Sequence, residues 1–303
     1  MEIKISLKIV NYLNLGTRIP SYSRLIGSLN KSLANGVNTL SSRKPVEKAS
    51  LPLIVQARVE STRYPGKIVQ PFAGGQALLE FQLCRLKAAF PDSPIVVATS
   101  SSVADDVVAG MAEDAGVLVY RGDERDVLKR FVDCCAYFSF TGYVVRVCGD
   151  NPFLQTALLG RLMAEAASNA GTYDYISFSI GGVPAIRTHF GFFCEVAAVD
   201  ALKRVADTVP GAVFREHVTN YIYERSGSFR VRWLEFDQLA PYLGSLRLTV
   251  DSKEDMENAL YVHEHLSIGA GQDGPSWEDI VNFVEGEAET KGKMERQIKL
   301  YQK

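Results

Sequence analysis

Between residues 51 and 167 a short apolar run, a polar turn and a helix-length stretch with one apolar side follow one another repeatedly. Leu51–Ala57, Pro94–Ala98, Val117–Tyr120 and Tyr143–Val147 are the runs, each of a length and composition that suits a strand covered on both faces. Within Ala77–Phe90, residues Leu79, Leu83, Leu86 and Phe90 recur at i, i+4, i+7 and i+11 and so share one side of a helix. Val103–Ala115 places Val103, Val107, Met111 and Ala115 on one stripe; Arg125–Tyr137 and Leu154–Ala167 complete the set. Strands that alternate with helices of this length form βαβ units. The expected fold is therefore α/β, three-layered, with a mostly parallel central sheet and helices on both faces. In such sheets ligands lie beyond the carboxyl ends of the strands, so the residues just after each apolar run are the ones to inspect.

Beyond Tyr173 the rhythm loosens. Tyr173–Phe178, Phe192–Val196, Phe229–Phe236 and Leu246–Val250 read as further strands. Pro210–Tyr223, Glu254–Leu266 and Trp277–Glu285 read as helices, and the charged tail 286–303 is helix-prone. Residues 51–285 are expected as the main domain, with 173–235 as a smaller subdomain. Residues 1–50 differ in character: no acidic residue lies between Glu2 and Glu47, while Lys and Arg recur among Ser, Asn and Gly. That composition reads as a flexible or peripherally docked extension, and organelle transit peptides share it.

A formal net charge of −2 gives no long-range attraction to nucleic acid or to an anionic membrane. Any anionic ligand must be held by local positive groups. The five cysteines, at 84, 134, 135, 148 and 194, make no CxxC pair, as expected for reduced thiols in a cytoplasmic protein. No apolar run approaches the ~18 residues that a spanning helix needs.

Directly after the first apolar run stands QARVESTRYPGK, residues 56–67. It gathers Arg58, Arg63 and Lys67 with Ser61, Thr62 and Gly66. A triphosphate needs fixed cations and short hydroxyl or backbone donors. Arg offers a fork for oxygen pairs, Lys a compact charge, and Pro65–Gly66 a tight turn that lets backbone amides approach phosphate. The loop is neither a Walker A sequence nor a dinucleotide fingerprint. Taken alone it also suits a solvated basic loop.

The segment resembles the signature of the sugar-acid cytidylyltransferases, in particular their spore-coat polysaccharide biosynthesis branch, whose first strand runs into Q-A-R-x-x-S-T-R-x-P-G-K. Further blocks agree in order: IVVATS at 95–100, RGDERDVLKRF at 121–131, VVRVCGDNP at 144–152, REHVTNYIY at 215–223 and LRLTVDSKED at 246–255. Together they span roughly 53–266, and synthetases of CMP-Kdo and CMP-sialate are more distant relatives of the same loop. The resemblance implies that Gln56, Ala57, Arg58, Ser61, Thr62, Arg63, Gly66 and Lys67 bind nucleotide, with Thr99 and Ser100 near the base. It implies CTP as donor, an acceptor side that includes Glu195, Arg215 and His217, a role for residues 173–235 in acceptor binding and dimerisation, and a homodimer. Phe153 and Gln155 depart from the family's D-x-P-L and following Asp, and HFGFFCE at 189–195 departs from its acceptor loop; both put the acceptor in question, not the nucleotide.

Asp150 follows the fourth strand and Asp251 a later one, so both are expected at the same rim. A hard cation such as Mg²⁺ is served by one or two carboxylates with phosphate oxygens and water. The resemblance implies the same metal role for both. Each also has a plainer reading, Asp150 as a turn residue before Asn-Pro and Asp251 as a helix cap. Arg146 either touches the nucleotide or pairs with Asp150. Asp126 and Arg130 at i, i+4 read as a surface pair, although the family block they stand in implies a phosphate or base contact, and His217 reads as structural. The chemistry expected is attack of an acceptor oxygen on the α-phosphorus with loss of pyrophosphate, Arg58, Lys67 and Asp150 carrying the catalysis. The acceptor is an acidic sugar or related small anion; a phosphonate or a sugar phosphate is the nearest alternative. A non-catalytic nucleotide-binding module would not need both aspartates, and a glycosyltransferase would ordinarily show a DxD-like motif.

Overall fold

The computed structural model describes residues 50–208, 211–266 and 274–301; the extension expected over 1–50 lies, but for residue 50, outside them. In chain order the strands are β1 (Leu53–Gln56), β2 (Pro71–Ala73), β3 (Gln76–Ala77), β4 (Ile95–Ser100), β5 (Leu118–Gly122), β6 (Tyr143–Cys148), β7 (Tyr175–Ile180), β8 (Val183–Pro184), β9 (Glu195–Ala198) and β10 (Val231–Glu235). The helices are α1 (Leu78–Ala89), α2 (Asp106–Asp114), α3 (Val127–Tyr137), α4 (Thr156–Ser168), α5 (Val199–Thr208), α6 (Ala212–Glu216), α7 (Asn220–Glu224), α8 (Lys253–Leu266), α9 (Trp277–Gly286) and α10 (Ala288–Leu300).

The central sheet runs β10-β7-β9-β6-β1-β4-β5, with β8 paired to β7. β1 lies between β4 and β6, parallel to both. Its apolar run is continuous because alternate residues enter different layers: Leu53 and Val55 pack into one core, Ile54 into the other. The first core takes in apolar residues of α1, α2, α4, α8, α9 and α10, the second those of α3, α5 and α7. The fold is the three-layer α/β arrangement expected, with a mixed, mostly parallel sheet. Residues 173–235 supply β7 to β10 to that same sheet.

β9 enters antiparallel between β6 and β7 within the mostly parallel order; no periodicity within four residues encodes direction. Three local expectations need correction. Leu246–Val250 is not a strand. Its side chains Leu246, Leu248 and Val250 are buried, but its amides scatter, Leu246 to the Tyr242 carbonyl, Leu248 and Thr249 both to that of His189, and Val250 to that of Asp150, rather than forming a ladder. An apolar run signals burial before it signals a strand. The single helix expected over Pro210–Tyr223 is α6 and α7, broken where Val218 and Thr219 turn inward, two β-branched residues of low helix propensity. The α2 stripe is displaced: Val108, Ala109 and Ala112 face the core, whereas Val103 is 82% and Val107 45% exposed. A row of i+4 steps drifts about 40° per step, and residues 103–105 form a tighter 3₁₀ turn, so no one face holds all four.

No described helix is long and apolar enough to cross a membrane.

Candidate active site

β1 ends at Gln56, and the chain then loops over the carboxyl end of the sheet and returns through a 3₁₀ turn at Lys67–Val69. Gly66 sits at φ +75°, a left-handed conformation that favours glycine, and its amide donates to the Val59 carbonyl at 2.8 Å. That bond closes the loop. Asp105 then ties the loop to the next strand. One carboxylate oxygen accepts from the Val59 amide at 2.6 Å; the other accepts from the Ser100 amide at 3.1 Å and from the Ser100 hydroxyl. Thr99 and Ser100 are fully buried; Ser100 supports the loop through Asp105, and neither lines the cleft. Asp105 → Ala leaves two amides and a hydroxyl without their acceptor, a cost of about 1–3 kcal/mol. The expected outcome is a lower melting temperature, measured by thermal denaturation of the variant beside the parent.

Gly149 follows β6, and its amide donates to the Gln56 carbonyl at 2.9 Å. A Cβ at this position would stand 2.9 Å from that carbonyl oxygen, so only glycine fits without displacement. This close approach sets Asp150 beside the start of the loop. Asp251 arrives from the extended segment 246–251, whose Val250 amide donates to the Asp150 carbonyl at 3.1 Å. The two aspartates therefore share one rim, although the second is delivered by an irregular segment and not by a strand.

Between them lies Lys67. Its ammonium donates to Asp150 Oδ2 at 2.6 Å, to the Val250 carbonyl at 2.6 Å and to Asp251 Oδ1 at 3.3 Å, using all three of its donors. Burial draws the Lys67 pKa down, but Asp150 and Asp251 outweigh it and hold the group above the ordinary lysine value. Asp251 also forms an ion pair with Arg63 Nη2 at 2.8 Å and accepts from Arg247 Nη2 at 3.2 Å. Arg247 is completely buried. It donates in addition to both oxygens of Asp255, at 2.7 and 2.9 Å, and lies 2.6 Å from His189 Nδ1. Cations and carboxylates alternate through the cleft, and each neutralises its neighbour.

The cleft is lined by Gln56, Ala57, Arg58, Ser61, Thr62, Arg63, Lys67, Asp150 and Asp251 of the expected residues, with Glu60, Ile68 and Glu216 besides. Gly66, Thr99, Ser100, Arg146, Glu195, Arg215 and His217 are not in its lining. Glu216 faces Arg58 at 3.8 Å across the mouth, while Arg58 Nη1 donates to the Glu124 carbonyl at 3.3 Å. Arg146 does not pair with Asp150. It donates to Glu195, and its Nε and Nη2 donate to Gln56 Oε1 at 3.2 and 2.9 Å. Glu195 is buried and also accepts from the Tyr175 and Thr219 hydroxyls. The network lies behind Gln56 and holds its amide. Arg215 bonds Asp126 and the Ala206 carbonyl, each at 2.8 Å, and His217 stands exposed at the end of α6.

Asp126 and Arg130 are not a surface pair. Asp126 caps α3 by accepting from the Lys129 amide at 2.8 Å, so it stands outside the helix whose i, i+4 geometry the pairing presumed. Arg130 is fully buried, donating to the Asp123 carbonyl at 2.7 Å; burial and the nearby Arg58 charge lower its pKa to about 10. Asp105, Arg247 and Glu216 were missed. For Arg247 a signal existed: it stands four residues before Asp251 in LRLTVD. Asp105 reads as an ordinary helix-start residue.

Among the described residues no group of three or more His, Cys, Asp or Glu side chains stands ready to enclose a metal. Asp150 and Asp251 nevertheless fit a hard divalent cation. They offer oxygen only, and both already converge on one positive centre, the Lys67 ammonium. Two carboxylates suffice when phosphate oxygens and water complete the shell.

The protein family described as Cytidylyltransferase matches residues 53–266. A spore coat polysaccharide biosynthesis protein, SpsF, of Bacillus subtilis is 32% identical over 216 residues, covering 69% of this chain and 85% of that protein. A cytidylyltransferase structure from Leptospira borgpetersenii superposes with a TM-score of 0.69 at 24% identity, over 80% of this chain and 96% of that one. A CMP-2-keto-3-deoxy-manno-octonic acid synthetase complexed with CTP gives a TM-score of 0.54 at 12% identity, over 71% and 99%. The last two are likenesses of fold.

Proposed function

This chain belongs to the cytidylyltransferase family, and from that premise we propose that it transfers CMP from CTP to an acidic sugar or a related small anionic acceptor, with release of pyrophosphate. The observation that carries the reading is the alternating series Arg63, Asp251, Lys67, Asp150 at the rim of β1 and β6. Its charges are satisfied within the chain, and so a highly anionic ligand has to enter together with a cation. Asp150 and Asp251 hold that cation, Mg²⁺, which when bound neutralises charge on the phosphate oxygens. Lys67, Arg63 and Arg58 then take phosphate oxygens as partners and orient the leaving β- and γ-phosphates. Ser61 and Thr62 add hydroxyl donors. The acceptor oxygen bonds to the α-phosphorus as the bond to the bridging oxygen breaks, and pyrophosphate leaves with the electron pair. Positioning and electrostatics supply most of the rate, and an acceptor oxygen that is already ionised needs no general base. Glu195 and Arg146 act behind Gln56, keeping its amide directed into the cleft. The name of the Bacillus subtilis relative, a spore coat polysaccharide biosynthesis protein, supports a place in polysaccharide biosynthesis. A homodimer belongs to the same reading, and a monomer mass by light scattering at assay concentration would remove it.

The test uses CTP, ATP, GTP and UTP labelled at the α-phosphate with a panel of acidic sugars, sugar phosphates and phosphonates. Label is expected to pass from CTP to an acidic sugar with one pyrophosphate released per transfer. Preference for another base, or transfer only to a phosphonate or sugar phosphate, rejects the specific assignment. Triphosphate binding with no pyrophosphate release from any pair rejects the enzyme.

A further inference from the structure

The family match ends at residue 266, but the chain beyond it comes back to the cleft. Helix α10 packs against α8 and α9 through Met294, which is fully buried, and Gln297. The Gln297 side chain donates to the Glu254 carboxylate and accepts from the Ser252 hydroxyl at 3.5 Å, so α10 is fastened to the two residues that flank the turn after Asp251. At the end of α10 stands Tyr301. The Arg63 guanidinium carbon lies over its ring, 5.3 Å from the centroid, and that of Arg247 lies over it at 5.5 Å. These are the two arginines that bond the two oxygens of Asp251. One ring thus touches both cations of one carboxylate. Arg63 also stands at the tip of the phosphate loop, between the Val59 and Gly66 positions where the backbone closes on itself. Its bond to Asp251 ties that tip to the rim of the sheet.

We propose that Tyr301 is a positioning residue of the active site, holding Arg63 at Asp251 and thereby the tip of the phosphate loop in its binding geometry. This rests on the reading of the cleft as a nucleoside triphosphate site. The ring faces the guanidinium with its negative quadrupole. Its partner's planar fork of N–H donors remains available for carboxylate and phosphate oxygens. The ring also replaces water on one side of the cation, which restricts Arg63 before the ligand arrives. Helix α10 is in this way part of the site, although the family match ends before it.

The requirement is for an aromatic face, not for bulk or for the hydroxyl, and Tyr301→Phe and Tyr301→Leu separate these. CTP binding in the presence of Mg²⁺ is measured by calorimetry, and turnover by pyrophosphate release. Tyr301→Phe is expected to bind within about twofold of the parent, and Tyr301→Leu roughly 3- to 10-fold more weakly, with kcat at saturation little changed. Arg63→Ala is expected to mask the effect, so that Arg63→Ala/Tyr301→Leu binds no more weakly than Arg63→Ala alone. Unchanged binding in Tyr301→Leu, equal losses in the Phe and Leu variants, or additive losses in the double variant each overturn the proposal. Melting temperatures of the parent, Tyr301→Leu, Arg63→Ala and the double variant without nucleotide provide a separate readout. Non-additive shifts support the Arg63–Tyr301 coupling and additive shifts refute it, whereas a parent that binds no CTP refutes the reading of the cleft instead.

Discussion

Asp251→Asn is expected to reduce pyrophosphate release by at least ~10²–10³-fold and to cost the protein about 3–5 kcal/mol of stability, a fall in melting temperature on the order of 10 °C. Asp251 is the most heavily engaged carboxylate of the cleft. It faces Arg63, Lys67 and Arg247 at 2.8, 3.3 and 3.2 Å, and its side chain is only 8% exposed. Asparagine keeps the shape but leaves three cations with one counter-charge fewer, and removal of one partner from a buried ionic cluster is costly because the others stay desolvated. Asp150→Asn provides the contrast. Its side chain is 27% exposed and its ion-pair partner is Lys67, so the loss of activity should be similar while the stability loss is on the order of 1 kcal/mol. Melting curves and initial rates on both variants decide the matter. Turnover near the parent's level in either one would remove that aspartate from the reaction.

The second large effect concerns Lys67. Lys67→Met is expected to lower kcat/KM by roughly 10²–10³-fold, and also to change how the protein responds to metal. In the parent, the ammonium separates two carboxylates that would otherwise face one another. Its pKa is raised, because the two aspartates outweigh the opposing effect of burial. The stabilising contribution is therefore complete below the ordinary lysine value and is lost only as pH rises through the still higher folded value. Between about pH 6 and 9 this group confers no pH dependence. In Lys67→Met the two carboxylates face one another with no ammonium between them, and their repulsion should lower stability. A divalent cation relieves that repulsion. Mg²⁺ should then raise the melting temperature of Lys67→Met by several degrees more than that of the parent. Equal shifts would mean that Asp150 and Asp251 do not share a cation.

Both effects depend on contacts that span long stretches of chain: Lys67 meets Asp150 across 83 residues and Asp251 across 184. No local rule brings such residues together. Their convergence was nevertheless legible, because parallel strands present their following residues at one rim and the loop 56–67 declares which rim matters. The route was misread for Asp251. Leu246–Val250 shows the apolar content of a strand, and only its scattered amide partners reveal an extended, unladdered segment. The acceptor-side residues illustrate a different limit. Glu195, placed by resemblance near the acceptor, bonds Arg146, Tyr175 and Thr219 because the register of β9 against β6 sets it opposite Arg146, and a register between strands so far apart in sequence leaves no trace in composition.

What the sequence determined by itself is what is periodic or local: the alternation of strands and helices, the cationic turn at Arg58–Lys67, and the rim on which ligands collect. These follow from side-chain spacing and turn chemistry within a few residues. Only the tertiary structure decided which groups support the rim. Asp105 latches the loop, Arg247 shares Asp251 with Lys67, and Tyr301 returns from the far end of the chain to two arginines. Each of these depends on the packing of segments far apart in sequence, where a buried charge or donor takes whatever partner the assembled core brings within reach.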